Sequence, residues 1–322
     1  MSDFFACVGH ASVDHHFEIE TFATQPTKTP AKSYRQIVGG MAANAAIGMA
    51  RLGLPVRLIG RVGDDDAGRF IQAAVRELGI SEHLEAVQGG HTSVSSVVVD
   101  AQGERQIFNH RGDALAKAHP LSTRMLQGAR AVLTDPRWGD GAAAALIWAR
   151  ENGVLGMLDA DVAPQDVLLR LVPLAKWAVF SQPGLACFAP DARSSGAGLI
   201  AALDAGAYLD TALSRGSTSA MVTLGEQGVA WMHSGERILH RLDAFPVQAV
   251  DTTGAGDVFH AALCFALSEL SPDATAAHER QAIRFACAAA ALKCMQRHGA
   301  LGAPTRAEVL QFLNAQATAA NV

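Results

Sequence analysis

The sequence predicts an α/β fold, a three-layer αβα sandwich with a central, mostly parallel sheet and a small β-lid. Short apolar runs alternate along the chain with stretches of helical period, which is the order expected of strand–helix–strand units. The 322 residues are 49% hydrophobic and 18% charged, so enough apolar side chains are present to cover both faces of such a sheet.

The predicted strands are short apolar runs without polar alternation, typical of strands that are buried on both faces. They cover residues 6–8, 56–60, 131–134, 154–158, 177–180 and 220–224. The predicted helices lie between and after them, and several end next to a glycine, as helix C-termini commonly do. They cover residues 40–52, 69–78, 141–151, 165–171 and about 305–315, with two further long helices after residue 257.

Two segments, residues 15–38 and 93–110, break this rhythm. Polar and apolar side chains alternate along them, a pattern typical of antiparallel strands that expose one face. We interpret the two segments as a small lid inserted into one domain that spans residues 1–322.

Charge, hydropathy and cysteine usage exclude several classes of partner. The net charge is −5 and no basic cluster stands out, which argues against nucleic acid. No apolar run has the length of a membrane span, and the N-terminus lacks the basic region of a signal peptide. The five cysteines have no metal-ligand spacing. The sequence therefore predicts a cytoplasmic protein that binds small molecules and neither membrane nor nucleic acid.

The most informative segment is residues 251–257, Asp-Thr-Thr-Gly-Ala-Gly-Asp, which we call the anion loop. A glycine-rich turn that opens a helix directs backbone N–H groups and the positive end of the helix dipole at one point. Asp257 would lie at the mouth of that anion site, where a carboxylate suits a base that takes a proton from an attacking hydroxyl. A tight turn with Asp as helix N-cap is the alternative.

The run Asp-Thr-Thr-Gly-Ala-Gly-Asp-Val-Phe-His-Ala-Ala-Leu, residues 251–263, resembles the C-terminal signature of the ribokinase-like (PfkB) carbohydrate kinases. The resemblance implies an ATP-dependent sugar kinase with Asp257 as catalytic base. It also implies that the amides of Gly254, Ala255 and Gly256 stabilise the transferring phosphoryl group.

Residues 9–14, 38–44 and 58–68 resemble the N-terminal signature of the same family. The resemblance implies that Asp14, Gly39, Gly40 and Asn44 bind sugar hydroxyls, and glycines also let a sugar approach the backbone. From the residues alone, Asp14 could cap a turn and Asn44 could lie on a helix surface. In this family the lid covers the sugar and often forms the dimer contact, so a homodimer through the lid is expected.

Residues 221–228 resemble the nucleotide segment of the family, which implies that Thr223, Gly225 and Gly228 contact ATP. A plain hairpin is the alternative. Relatives often bind a monovalent cation at positions equivalent to Asp251 and Thr253, so K⁺ is a further expectation, with additional carbonyl ligands from residues 298–304.

One departure from the family concerns magnesium. Many members carry Asn-x-x-Glu after the strand equivalent to residues 177–180, whereas this chain has Gln182 and Leu185 at the two positions. An apolar leucine cannot organise hydrated Mg²⁺. Mg²⁺ is still expected to accompany ATP, held mainly by phosphates and water, and no protein ligand is predicted.

Residues 135–141, 158–161 with 164–166, 180–186 and 290–294 resemble the 6-deoxy-6-sulfofructose kinases of this family, although ketohexokinases share a run similar to the last. A sulfonate needs cations and donors, and Lys28, Asn109 and Arg137 are the candidates. A solvated Lys28 and a structural ion pair of Arg137 are the alternatives. A phosphorylated or carboxylated sugar would need the same groups, so fructose phosphate and 2-keto-3-deoxygluconate stay open as substrates. The neutral sugars fructose and ribose stay open as well.

Two other classes of protein are alternatives. The first strand is followed by residues 9–14 without G-x-G-x-x-G, which argues against a dinucleotide-dependent oxidoreductase. A non-catalytic sugar or nucleotide sensor on the same fold stays open because Leu185 replaces the expected Glu. The presence of Asp257 argues against it, since a sensor has no need of a base.

Overall fold

The central sheet contains nine strands within the ranges that the computed structural model describes, residues 3–116, 120–189 and 205–319. With strands numbered along the chain, they are β1 (Phe4–Gly9), β4 (Val56–Gly63), β5 (Ser81–Val87), β8 (Ala129–Thr134), β9 (Leu155–Ala160), β10 (Trp177–Ser181), β11 (Ser219–Thr223), β12 (Val229–His233) and β13 (His240–Leu242). Their order is β13-β12-β11-β10-β9-β8-β1-β4-β5. All neighbours are parallel except the pairs β11–β12 and β12–β13, which are antiparallel. The predicted, mostly parallel sheet is confirmed.

Helices cover both faces of this sheet. They are α1 (Met41–Arg51), α2 (Asp66–Glu77), α3 (Gly139–Glu151), α4 (Gln165–Leu171), α5 (Gln182–Phe188), α6 (Ala205–Ser214), α7 (Ala255–Ser268), α8 (Ala276–Cys294) and α9 (Arg306–Ala319). Strand β1 shows how the layers are held. Phe5 and Cys7 pack with α1, α7 and α8, whereas Phe4, Ala6 and Val8 pack with α3 on the opposite face. Because successive side chains of a strand point to opposite faces, one apolar run supplies both cores.

The strand order reverses between β1 and β8. From β1 the chain builds β4 and β5 on one side, and from β8 it builds β9, β10 and β11 on the other. Open α/β sheets bind ligands outside the carboxyl ends of their strands at such a reversal. The fold therefore places the chain segments after β1 and β8 beside one candidate site.

A second sheet of four strands forms the lid. Its strands are β2 (Ser12–Glu18), β3 (Ser33–Gly39), β6 (Ser93–Val99) and β7 (Arg105–His110), in the order β3-β2-β6-β7. The expectation of antiparallel strands is correct within each hairpin but wrong between them, since β2 and β6 run parallel. Two hairpins from distant parts of the chain meet side by side, and no turn links β2 to β6.

Sequence reasoning misplaced two stretches of chain. Residues 19–32, inside the first predicted lid segment, form a loop that carries Pro26 and Pro30, and the lid strand β2 begins at Ser12. Strand β5 was not predicted because it is an edge strand of the large sheet in which Leu84 is the one fully buried residue and the others are half-buried or exposed. Within the described ranges, no helix has the length and apolarity needed to cross a membrane.

Candidate active site

The anion loop leads directly into the first turn of α7. Gly254 has a φ of 76°, in the left-handed region that favours glycine, and it lies outside the helix as its N-cap. Ala255 N donates to Thr252 O over 3.2 Å, which closes the turn. The following first-turn N–H groups have no acceptor within a helix. Gly256 is exposed, and nothing lies within 4 Å of an added Cβ.

Asp257 lies in the same first turn and is half-buried. Asn44 on α1 donates from Nδ2 to Asp257 Oδ2 over 2.7 Å, although the two residues are 213 positions apart. The structure thus brings together the predicted sugar-side asparagine and the predicted base. Helices α1 and α7 achieve this because small residues let them pack closely, with Gly48 against Ala261 and Val258.

The pKa of Asp257 is raised to about 8. Burial is the main cause and the negative charge of Asp159 adds to it, while the hydrogen bond from Asn44 opposes both. Asp159 lies one residue before the end of β9 and is itself buried, which raises the pKa of its own carboxyl well above the usual range. A carboxyl whose pKa lies near neutrality can both hold and release a proton, as general-base catalysis requires.

His260, one turn further along α7, stabilises the first turn of this helix. Its ring is buried, and Nδ1 donates to Gly256 O over 2.7 Å, so it fixes the carbonyl next to Asp257. The same Nδ1 lies 3.4 Å from Asp159 Oδ2. Burial lowers the pKa of His260, while the charge of Asp257 raises it.

Asp14 lies on the lid face that covers the site. It is in register with Ser95 of β6, which is in register with Asn109 of β7. Asn109 Nδ2 donates to Ser95 Oγ over 3.0 Å, and Ser95 is hydrogen-bonded to Asp14. Burial raises the pKa of Asp14, and the charge of His16 and the hydrogen bonds with Ser95 and Ser12 oppose the rise. The three side chains form one row of donors and acceptors, of the kind that hydroxyl groups of a sugar require.

Gly39 and Gly40 lie where this row meets α1. An added Cβ on Gly39 would lie 2.2 Å from Asp14 Oδ2, so the glycine makes room for that carboxylate. Gly40 is the N-cap of α1 with a φ of 94°, and an added Cβ would lie 2.6 Å from His10 O. Both positions therefore need glycine to bring the lid strand and α1 close to the end of β1.

Asp135 holds these segments together, and sequence reasoning did not single it out. It follows β8 and is buried, and its carboxylate accepts from His10 N (2.7 Å), Ala42 N (3.2 Å) and Arg137 N (2.9 Å). Burial raises the pKa of Asp135 to about 6, against the opposing effect of these backbone donors. One carboxylate thus fixes the end of β1, the start of α1 and the turn that carries Arg137.

The lid contacts the anion loop through Arg105 of β7, another residue that the sequence did not reveal. Its guanidinium donates from Nη1 to Thr253 Oγ1 (3.0 Å) and from Nη2 to Thr252 Oγ1 (3.1 Å). Arg35 of β3 is hydrogen-bonded to His298, at the start of the neighbouring loop. A cavity of about 440 Å³ lies between the lid and these loops, and Arg105 and Thr253 line it, whereas Asp257 does not.

The three candidate groups for an anionic substituent are not all brought together. Asn109 belongs to the row of Asp14, and Arg137 is half-buried after β8, electrostatically coupled to His10, Asp135 and Asp159. Lys28 is exposed in the loop of residues 19–32, and no contact within the described residues joins it to the other two. The convergence of all three side chains stays a prediction.

The predicted nucleotide residues follow β11. Thr223 ends that strand and is half-buried, and Gly225 is exposed with a φ of 60° and open space around it. Gly228 has a local reason to be glycine, because an added Cβ would lie 2.0 Å from Leu242 O in the hairpin. Leu185 is fully buried among apolar side chains, which explains why this position holds no carboxylate.

The chain matches the pfkB family carbohydrate kinase model over residues 2–306, and it belongs to that family. It is 29% identical over 317 residues to the ribokinase of Haemophilus influenzae, an alignment covering 95% of this chain and 97% of that protein. It is 27% identical over 306 residues to fructokinase-1 of Zea mays, covering 88% of this chain and 90% of that protein.

Two solved structures are similar over nearly the whole chain. A ribokinase candidate from Agrobacterium tumefaciens has a TM-score of 0.87 at 31% identity, covering 99% of each chain. The ribokinase of Arabidopsis thaliana complexed with ribose and ATP has a TM-score of 0.80 at 25% identity, covering 97% of this chain and 99% of that chain. The predicted ribokinase-like fold and the predicted ATP-dependent carbohydrate kinase are confirmed.

Proposed function

We propose that this kinase transfers the γ-phosphoryl group of ATP to a primary hydroxyl of a sugar that carries an anionic group. The substrate that we propose is 6-deoxy-6-sulfofructose, phosphorylated at its C1 hydroxyl. One observation above all supports the proposal: Asn44 Nδ2 lies 2.7 Å from Asp257 Oδ2. This hydrogen bond joins the sugar side of the site to the carboxylate beside the anion loop.

The proposed mechanism uses the chain's own groups in sequence. Asp14, Gly39, Gly40 and Asn44 hold the sugar hydroxyls, and Asp257 removes the proton from the attacking one. The amides of Gly254, Ala255 and Gly256, around the start of α7, stabilise charge that develops on the γ-phosphate. Contact between the lid and the anion loop excludes water, which limits hydrolysis of ATP.

Nucleotide and metal are assigned within the same proposal. Thr223 and Gly225 contact ATP at the end of β11, and Gly228 shapes their turn. Within the described residues no group of three or more His, Cys, Asp or Glu side chains is arranged to hold a metal ion. We therefore propose that Mg²⁺, which offsets phosphate charge during transfer, enters with ATP and is held mainly by phosphates and water.

The anionic substituent is proposed to bind Arg137. No hydrogen bond or ion pair occupies its guanidinium in the described part of the chain, and it is half-buried at the reversal of strand order. A planar guanidinium presents paired N–H donors that suit the oxygens of a sulfonate. The names of the relatives favour a second candidate, a neutral ribose or fructose, for which Arg137 would have no partner.

A substrate panel distinguishes these candidates. ADP release is measured with sulfofructose, fructose 6-phosphate, fructose, ribose and 2-keto-3-deoxygluconate. Sulfofructose is expected to have the highest kcat/KM. Arg137→Ala is expected to lower that value on the order of 10- to 100-fold, the loss of one or two charge-assisted hydrogen bonds. Arg69→Ala, an exposed arginine on α2, is the matched control. Efficient turnover of a neutral sugar alone contradicts the substrate assignment.

Assembly is proposed as a homodimer through the lid, with the chain acting as one kinase domain. Tyr34 and Phe108 are 53% and 66% exposed, and the alternation of the lid strands directs them away from the cleft. Tyr34→Glu is expected to shift the mass measured by light scattering from dimer to monomer. A wild-type monomer at all concentrations contradicts the assembly. The cytoplasmic location stays a prediction.

A further inference from the structure

A buried lysine lies where the sequence led us to expect a monovalent cation. Lys293, in the last turn of α8, has no exposed surface. Its ammonium donates to Asp251 O over 2.7 Å and to Gln296 O over 3.5 Å, and it lies 3.4 Å from Asp251 Oδ2. A carboxylate and two backbone carbonyls around one positive charge are also the kind of oxygen shell that binds a hard cation.

These contacts link the two loops that flank the start of α7. The anion loop supplies Asp251, and the loop after α8 supplies Gln296. Val250 N and Asp251 N both donate to Cys294 O, over 2.7 and 3.1 Å, which draws the same two segments together. The ammonium therefore fixes the position of the anion loop relative to α8, and with it the amides next to Asp257.

The carboxylate of Asp251 has little capacity left for a metal ion. Oδ1 accepts from Thr253 N over 2.9 Å, and Oδ2 accepts from Gly299 N over 3.1 Å and faces Lys293. Burial alone would raise the pKa of Asp251, but these hydrogen bonds and the charge of Lys293 lower it to about 2. The carboxylate is thus a permanent anion that is already neutralised within the chain. K⁺ does not fit here, since it would lie against the buried ammonium group of Lys293.

We infer that Lys293 is a tethered cation that replaces a free monovalent metal ion in ordering the anion loop. It is a positioning residue, because it acts on the phosphate-binding amides through Asp251 and touches no substrate. The inference rests on the proposed function of the anion loop. It makes this enzyme independent of K⁺ for turnover.

Wild-type kinetics give the first test, without any variant. Initial rates are compared in potassium, sodium and tetramethylammonium chloride at matched ionic strength, and kcat is expected to agree within about twofold, because the charge at this site is supplied by the chain. A kcat that is tenfold or more higher in potassium chloride than in tetramethylammonium chloride would overturn the inference.

A cavity variant gives the second test. Lys293→Ala is expected to lower kcat on the order of 100-fold, the range found when an oxyanion donor is misplaced, with a smaller change in KM for ATP. Potassium or ammonium ions should restore kcat in a saturable way, and tetramethylammonium should not. Lys176→Ala removes an exposed lysine at the other end of the sheet and should show neither effect. Full kcat in Lys293→Ala without added ion would contradict the inference.

Ion binding separates this inference from the proposed function. Flow dialysis with rubidium, a substitute for potassium, needs no sugar and no turnover. Wild type is expected to bind no rubidium, and Lys293→Ala to bind one ion per chain. Stoichiometric rubidium binding by wild type would overturn the inference, even if no sugar in the panel is phosphorylated.

Discussion

Asp257→Asn is expected to lower kcat by roughly three orders of magnitude, in the middle of the range for loss of a general base. The amide keeps the shape of the carboxylate but cannot accept the proton of the attacking hydroxyl. ATP affinity should change little, because the amides of the anion loop stay in place. The measurement is steady-state ADP release together with equilibrium binding of ATP.

Asp66→Asn is the matched control for this prediction. Asp66 also lies in the first turn of a helix, α2, but its side chain is fully exposed and pairs with Arg69. Its replacement should leave kcat unchanged. An Asp257→Asn enzyme with near-normal turnover would show that another group takes the proton.

The pH dependence of kcat/KM gives a second readout of the same assignment. Burial and the charge of Asp159 raise the pKa of Asp257 to about 8. Because the base acts only when deprotonated, kcat/KM should rise with pH and level off above that pKa. Asp159→Asn removes a neighbouring negative charge, so the rise should move to lower pH. A shift to higher pH, or none, would contradict the electrostatic account.

Gly39→Ala is expected to lower kcat/KM for the sugar on the order of 100-fold, since a displacement of about 1 Å in a positioning group can cost that much. The backbone of Gly39 does not lie in the left-handed region, so the main chain can keep its conformation with alanine. The added Cβ would nevertheless lie 2.2 Å from Asp14 Oδ2 and must push that carboxylate away. Kinetics with varied sugar and saturating ATP measure the effect.

A double-mutant cycle shows whether Gly39 acts through Asp14. If it does, Gly39→Ala in an Asp14→Ala background should cost little more, because the displaced group is already absent. Gly235→Ala is the control, an exposed glycine with ordinary φ and nothing within 4 Å of an added Cβ. Additive losses in the cycle would mean that Gly39 affects the site by another route.

The layers of the fold could be predicted because a strand that is buried on both faces has a continuous run of apolar or small residues. In β1 every residue from Phe4 to Gly9 is buried, so the run is continuously apolar or small. Strand β5 has no such run, since Leu84 is its one fully buried residue. The parallel pairing of β2 with β6 could not be predicted either, because no turn connects them.

The candidate site likewise contains residues that could be predicted from the sequence and residues that could not. The anion loop could be recognised because its amides, its glycines and Asp257 lie within seven consecutive residues. Asp135, Arg105 and Lys293 could not, because each acts on a distant part of the chain. Asp135 binds His10 across 125 positions, Arg105 binds Thr253 across 148, and Lys293 binds Asp251 across 42. A lone lysine within the alanine-rich end of α8 was the only trace of the last contact.

Phosphorus NMR of the reaction mixture tests the central claim most directly. Wild-type enzyme, ATP and Mg²⁺ are incubated with each sugar of the panel, and the phosphorus spectrum is recorded. The account predicts a new phosphomonoester signal coupled to the two protons of a primary carbon, absent with Asp257→Asn. Inorganic phosphate alone, or ATP that is bound but unchanged with every sugar, would contradict it.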